Sequence, residues 1–225
     1  MPSTTSTTAR HAAVLGCAGL ALAAAAACTS SKPAGDGTIS GAQSTPGAIA
    51  SASASASATS AQPAGAPAVV LPPDLQIATS FDTKGDGDKE AVAQGLDYAL
   101  RAYNGAFAAG DPENAAFKYS WDGVARPYMA NIIGQLVQRN QTITGQTRYY
   151  AAAFTLTDAT HAAATYCEDQ SKGYPKDRTT GQVQTSTPSV RDFTEWNVGL
   201  EKSAQGVWRV TNALGEKGST KCQSA

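Results

Sequence analysis

The chain predicts an α+β domain at its C-terminal end. Apolar side chains recur every three to four residues as far as Arg139, and at alternate residues from Thr147 onward. This change of period predicts three helices followed by a mostly antiparallel sheet, with the helices covering one face of the sheet. Neither period is present before Asp74, which places the domain at residues 74–225. That is enough chain for a core that buries roughly 70% of its unfolded surface.

In the stretch DGDKEAVAQGLDYALRAYNGAFAAGD, residues Val92, Leu96, Leu100, Tyr103 and Phe107 form one apolar stripe, and Asp97 and Arg101 pair one turn apart on a polar flank. Asp86 or Asp88 caps this helix and Gly110 stops it. Asp111-Pro112 reads as an N-cap followed by an N1 proline, starting a short second helix through Phe117. A third helix runs from near Pro127 to Arg139 on the stripe Met129, Ile132, Ile133, Leu136 and Val137, and Asn140 ends it.

The alternation in TRYYAAAFTLTD points Tyr150, Ala152, Phe154 and Leu156 to one face, and Thr147, Tyr149, Thr155 and Thr157 to the other. HAAATYCEDQ returns after a tight turn at Asp158 to Thr160 and completes a hairpin, and YPKDRTTGQVQTSTP is a polar loop. SVRDFTEWNVGLEK then places Val190, Trp196, Val198 and Leu200 on one face. GVWRVTNALG returns after Ser203 to Gly206 with Trp208, Val210 and Leu214 inward, as a second hairpin.

The other end of the chain concerns location. Arg10 precedes an apolar run from Ala12 to Ala27 that stops at Cys28, a secretory layout too short and too alanine-rich for a permanent membrane span. Ala25 to Ala27 before Cys28 look like a bacterial lipobox, although Ala25 stands where leucine is usual. Val14-Leu15-Gly16-Cys17 is a rival with a shorter apolar lead-in, and ordinary cleavage with free secretion is the remaining alternative. The expected organisation is a signal peptide at 1–27, then a lipidated Cys28 and an Ala/Ser/Gly/Pro linker at 28–73, then the domain. Diacylation anchors firmly where one acyl chain would not, and a flexible linker of about 40 residues reaches roughly 35 Å from the membrane. Without Arg10, sixteen basic residues face eighteen acidic ones and no basic block occurs, so nucleic acid is not an expected partner.

This order of elements resembles the NTF2-like superfamily, in which helices close a curved sheet into a cone. The stretches GDPENAAFKY, TITGQTRYY, TYCEDQSK, KDRTTGQV and the terminal GVWRV and KGSTKCQ, together with anchor and linker, look like small secreted lipoproteins of actinobacteria. The resemblance implies fold and location, and no particular activity. It also permits a homodimer through the open sheet.

Once Cys17 leaves with the leader and Cys28 carries lipid, Cys167 and Cys222 remain in an oxidising compartment, and a disulfide is expected in preference to two free thiols. Closing that loop is worth about 4 kcal/mol in the chain-entropy model. The only histidine beyond the leader, His161, is about 20 Å along an extended strand from Cys167, so the two form no catalytic dyad. Too few Cys and His remain for zinc. The segment DTKGDGDKE matches a calcium loop at Asp82, Asp86 and Gly87, but Lys84 and Ala93 fall where ligands are needed. No metal and no cofactor are expected.

Strand parity places several polar residues on the apolar face: Asp192 with Trp196, Glu168 with Tyr166, and Asn212 with Trp208 and Val210. A buried carboxylate needs a partner or a cavity. These six residues other than Trp208 and Val210, namely Asp192, Trp196, Tyr166, Glu168, Asn212 and, from the first helix, Tyr103, are the candidate ligand-binding residues. The expected function is a non-catalytic extracytoplasmic module that binds a small apolar ligand or an envelope protein. The alternatives are a scaffolding domain with an apolar patch around Tyr149 and Phe193, and an isomerase- or dehydratase-type enzyme using Asp192 or Glu168. No aspartate, tyrosine and histidine constellation of such enzymes maps onto this sequence.

Overall fold

The computed structural model describes residues 62–224; the leader, Cys17, Cys28 and most of the linker lie outside them. The domain is a mixed α+β fold built on one five-stranded sheet. Strand β1 (Leu75–Ser80) pairs parallel with β2 (Gln141–Leu156), and β3 (His161–Asp177), β4 (Phe193–Lys202) and β5 (Trp208–Lys217) follow as antiparallel neighbours in the order β1-β2-β3-β4-β5. Between β1 and β2 run helices α1 (Gly87–Ala109), α2 (Ala115–Ser120) and α3 (Ala125–Gln138). A single turn, α4 (Thr220–Gln223), ends the described chain.

Helix α1 carries the centre of the core, with Val92, Leu96, Ala99, Leu100 and Ala106 almost fully buried. Its N-cap is Asp86, which accepts from the Lys89 N–H, and its C-cap is Gly110 in the left-handed region at φ 67. The last turn contains no basic residue, and Arg178 supplies the missing cation from beyond β3. Its guanidinium donates to the C-terminal carbonyls of Ala108, which also accepts from Thr142 Oγ1, and Ala109, and to that of Gln141. A positive charge at a helix C-terminus is favourable both as donor and against the helix dipole. Asp97, expected on a polar flank, is instead buried between α1 and β1. It accepts from Thr79 Oγ1 at 2.6 Å and pairs with Arg101 at 2.8 Å.

Helix α2 begins later than the Asp111-Pro112 dipeptide suggests. Asn114 is its N-cap, accepting from the N–H groups of Ala116 and Phe117, while Asp111 closes a turn by accepting from Glu113 N–H. Trp121 ends α2 fully buried, its indole N–H donating to the Ala99 carbonyl of α1 at 2.8 Å. Pro127 lies in the first turn of α3, where a missing N–H costs nothing.

Strand β1 is absent from the sequence reading, being six residues long with only Leu75 and Ile77 as large apolar side chains. Residues just before it, read as linker, also pack. The Tyr98 hydroxyl donates to the Pro67 carbonyl at 2.7 Å, and Ala66 joins Tyr98, Ala102 and Ala116 in a small cluster. Gly105 lets the segment lie on α1, since a Cβ there would stand 2.8 Å from the Val70 carbonyl oxygen.

Three bulges rewrite the strand parities; one falls on β3 opposite Gln146 to Arg148, and the other two, on β2 and β5, decide the site. Between Tyr150 and Ala153 the pairing of β2 with β3 slips by one residue, with Ala151 at φ 51, so inward and outward faces exchange along β2. Thr147 and Tyr149 are therefore buried before the bulge and Phe154 after it, whereas a single alternation points Tyr149 outward and Tyr150 inward. The apolar outer patch expected around Tyr149 and Phe193 thus loses Tyr149, which is 2% exposed. On β5 the extra residue is Thr211, between the pairs Leu200–Val210 and Gly199–Asn212. Trp208 and Val210 remain inward, but Asn212 and Leu214 turn to solvent, and Ala213, Gly215 and Lys217 take the inner face.

On the outer face, Cys167 of β3 is joined to Cys222 of α4 by a disulfide across 55 residues. The Tyr150 hydroxyl donates to the Cys222 carbonyl beside it. Replacing both cysteines by serine is expected to destabilise the domain by about 2–5 kcal/mol, read as a lower urea midpoint. An unchanged midpoint would show that α4 holds its place without the bond.

Candidate functional site

A cavity of about 430 Å³ lies between α1 and α3 on one side and the sheet on the other, within the range of small-molecule pockets. Its walls are mainly apolar, from Leu75, Phe107, Ile132, Leu136 and Ile143, with the ring of Trp196 on the β4 side. Tyr128 of α3, about half exposed, stands at its mouth.

At the cavity lies Glu168, only 4% exposed. Its Oε1 accepts from the Tyr149 hydroxyl at 3.0 Å and from Gln170 Nε2 at 2.9 Å, and its Oε2 accepts from Trp196 Nε1 at 2.7 Å. Tyr149 receives a hydrogen bond in turn from Asn104 Nδ2 at 2.8 Å, and the other Asn104 amide hydrogen goes to the Leu100 carbonyl. With its acceptor filled by Asn104, the Tyr149 hydroxyl donates its hydrogen bond to Glu168. The chain Asn104, Tyr149, Glu168, Trp196 therefore crosses α1, β2, β3 and β4 in one hydrogen-bonded line.

Each position has a local cause. Asn104 follows Leu100 by four residues, so a polar side chain stands in the apolar stripe of α1. Tyr149 faces inward because the bulge lies after it, directly opposite Glu168 in the ladder. Trp196 lies flat over Gly215 of β5, where a Cβ would meet its ring at 3.0 Å, and that placement carries its N–H to Glu168.

All three donors to Glu168 are neutral. Burial pushes its pKa above the ordinary value of 4.5, while the hydrogen bonds from Trp196, Tyr149 and Gln170, and more weakly the charge of Lys217, pull the other way. The phenols of Tyr149 and Tyr166 are raised well above 10 by burial first and by the Glu168 charge second. Tyr103 is raised for the same two reasons. These tyrosines act as neutral donors and apolar walls, not as bases.

Of the six residues expected to bind ligand, Glu168, Trp196 and Tyr103 line the cavity. Tyr166 is buried beside it, its ring edge-on to Tyr149 with centroids 5.9 Å apart, as part of the wall behind the site. Asp192 does not follow strand parity. It sits in a 3₁₀ turn at Val190–Asp192 and accepts from the Ser189 N–H, closing a capping box ahead of β4. Asn212 is exposed on the far side of β5 for the reason given by the Thr211 bulge. His161 stands exposed at the β2–β3 hairpin and pairs with Asp158 at 3.0 Å, which raises its pKa. The sequence reading missed Asn104, Tyr149, Gln170 and Lys217. Asn104 had a legible signal, a polar residue inside an apolar stripe. The bulges concealed Tyr149 and Lys217.

No family model matches the chain, and no curated protein matches it. Among solved structures it is similar to a ketosteroid isomerase-like protein from Erwinia carotovora atroseptica, with 16% identity over 60% of this chain and 98% of that one, at a TM-score of 0.41. It is also similar to an NTF2-like superfamily protein from Salmonella enterica serovar Typhimurium, with 13% identity over 59% of this chain and 94% of that one, at a TM-score of 0.40. At those values the likeness assigns neither activity nor ligand.

Replacing Glu168 by glutamine puts an amide NH₂ where one carboxylate oxygen accepted, so either the Trp196 N–H or the Tyr149 and Gln170 donors lose their acceptor. A loss of about 1–3 kcal/mol is expected. The pH dependence has a defined sign. The folded pKa of Glu168 lies above its ordinary value, so the native state holds the extra proton between the two. The contribution of this group is fully present below about 4.5 and is lost as pH rises through the folded pKa. Urea unfolding across that window should show a falling component in the wild type that is missing in E168Q; identical pH profiles would refute the assignment.

Proposed function

We propose that the protein is an extracytoplasmic, lipid-anchored binding module whose cavity takes a small, largely apolar ligand without transforming it. The observation that carries this reading is the apolar cavity of about 430 Å³ with a fully hydrogen-bonded carboxylate beside it. Such a site offers apolar area for affinity and a few placed polar groups for orientation. Its aromatic and aliphatic walls come from helices and strands, so the site is held by the core itself.

An extracytoplasmic location accords with the Cys167–Cys222 disulfide, which persists in oxidising compartments. Among the described residues no helix is long and apolar enough to cross a membrane. The anchor is proposed from the run before Cys28 alone.

A second reading, proton transfer of the isomerase or dehydratase type, is favoured by the raised pKa of Glu168. Three donors already occupy that carboxylate, and His161 lies outside the cavity lining. This reading requires solvent deuterium to enter a bound carbonyl compound with the wild type and not with E168Q, and no exchange in either excludes it.

The binding reading is tested by filling the cavity. Native mass spectrometry of the purified chain is expected to show a bound organic mass of ligand size. The substitution I132W, which projects an indole from α3 into the space, should abolish it while far-UV circular dichroism stays native. Overpacking at this half-buried position is expected to cost about 1–3 kcal/mol. Absence of any bound mass in the wild type, together with failure of added apolar compounds to bind, would overturn the reading.

A further inference from the structure

The polar groups of the cavity are not distributed evenly. Two exposed cations line it, Arg139 just after α3 and Lys217 at the end of β5, and among the described residues the only acidic one in the lining is the buried Glu168. Lys217 is on the inner face because the Thr211 bulge put it there, paired with buried Thr194 and two residues beyond Gly215. It is near enough for its charge to act on Glu168.

Among the described residues neither cation has an ion-pair partner. Elsewhere on the surface, Lys176 pairs with Asp74, Lys221 with Glu195, Arg209 with Asp122 and Arg148 with Asp169. Among the described residues Lys217 makes no ion pair or side-chain hydrogen bond, and the one side-chain polar contact of Arg139 is to the neutral Gln141 side chain at 3.3 Å. The chain as a whole is nearly neutral, so the two cations in the lining are a local arrangement and not a consequence of net charge.

We infer that the cavity takes an anionic amphiphile, a compact or unbranched apolar body with one carboxylate, sulfate or phosphate at one end. This rests on the reading of the cavity as a ligand site. The apolar body lies against Phe107, Ile132, Ile143 and the Trp196 ring, and the anion pairs with a lining cation, Lys217 or Arg139. Orientation follows from the electrostatics. Glu168 repels a negative group or, when protonated, offers it no cation, whereas Lys217 and Arg139 each offer a charge-assisted donor.

The test is calorimetric titration of the full chain with three probes of equal tail length, decanoate, decan-1-ol and decyltrimethylammonium. Decanoate is expected to bind about fivefold tighter than decan-1-ol, the upper range of one exposed cation contact, and the cation to bind weakest. Raising salt to about 0.5 M should narrow the gap by screening. K217Q combined with R139Q should bring decanoate down to the level of decan-1-ol, and K217R combined with R139K should keep the gap. Decan-1-ol binding as tightly as decanoate, or a gap that survives K217Q and R139Q, overturns the anion assignment while leaving the cavity reading intact. Failure of all three probes overturns both. Competition by phosphatidylglycerol vesicles, and not by phosphatidylcholine vesicles, would place the amphiphile in the membrane; competition by neither would make it a free solute. Both outcomes keep the chemical class and fix its source.

Discussion

The structure turns on one buried carboxylate. Glu168 lies in the core without an ion-pair partner among the described residues and is held by three neutral donors. An isolated charge at that depth costs several kcal/mol. The cost is offset only when the phenol, indole and amide all stand in place together. Each donor fixes something larger than itself. Tyr149 requires the β2 bulge and Trp196 requires Gly215 beneath its ring, while Asn104, which donates to Tyr149 and not to Glu168, requires the rotation of α1. Misplacement of any one would leave a buried polar atom unpaired, so the network also selects this packing against near alternatives.

The cavity is what remains when helices pack over a sheet whose faces have been exchanged by bulges. Bulges bend strands and re-aim side chains. Here they send Tyr149 to the core, Leu214 to solvent and Lys217 to the lining of the cavity. The same slips place Cys167 and Tyr150 on the outer face, where the C-terminal turn closes over them through the disulfide and a hydrogen bond to the Cys222 carbonyl. The inner face is thus given to the cavity and the outer face, at that end of β3, to the tail.

The helical half was largely legible. The stripe of α1, its Asp86 cap and its Gly110 stop follow from local rules about turns and orphan N–H groups, and those rules act within a few residues. The hairpin turns at Asp158 and Ser203 were legible for the same reason. Strand β1 was not, because a short parallel strand buries little and is defined by a partner far along the chain. Of the site, Glu168, Trp196 and Tyr103 were legible as polar or aromatic residues on an apolar face, while Asp192 and Asn212 shared that pattern and lie elsewhere.

What the sequence determined by itself is the class of fold, the positions of the first and third helices and both hairpin turns, and the shortage of histidine and cysteine that closes off several chemistries. These depend on composition and on periods read over a few residues. Which residues meet at the cavity was decided only by tertiary structure, since one extra residue at Ala151 or Thr211 reverses every side chain beyond it and is invisible to alternation. The strain of a bulge is repaid by contacts across the sheet, and those contacts exist only once the chain has folded.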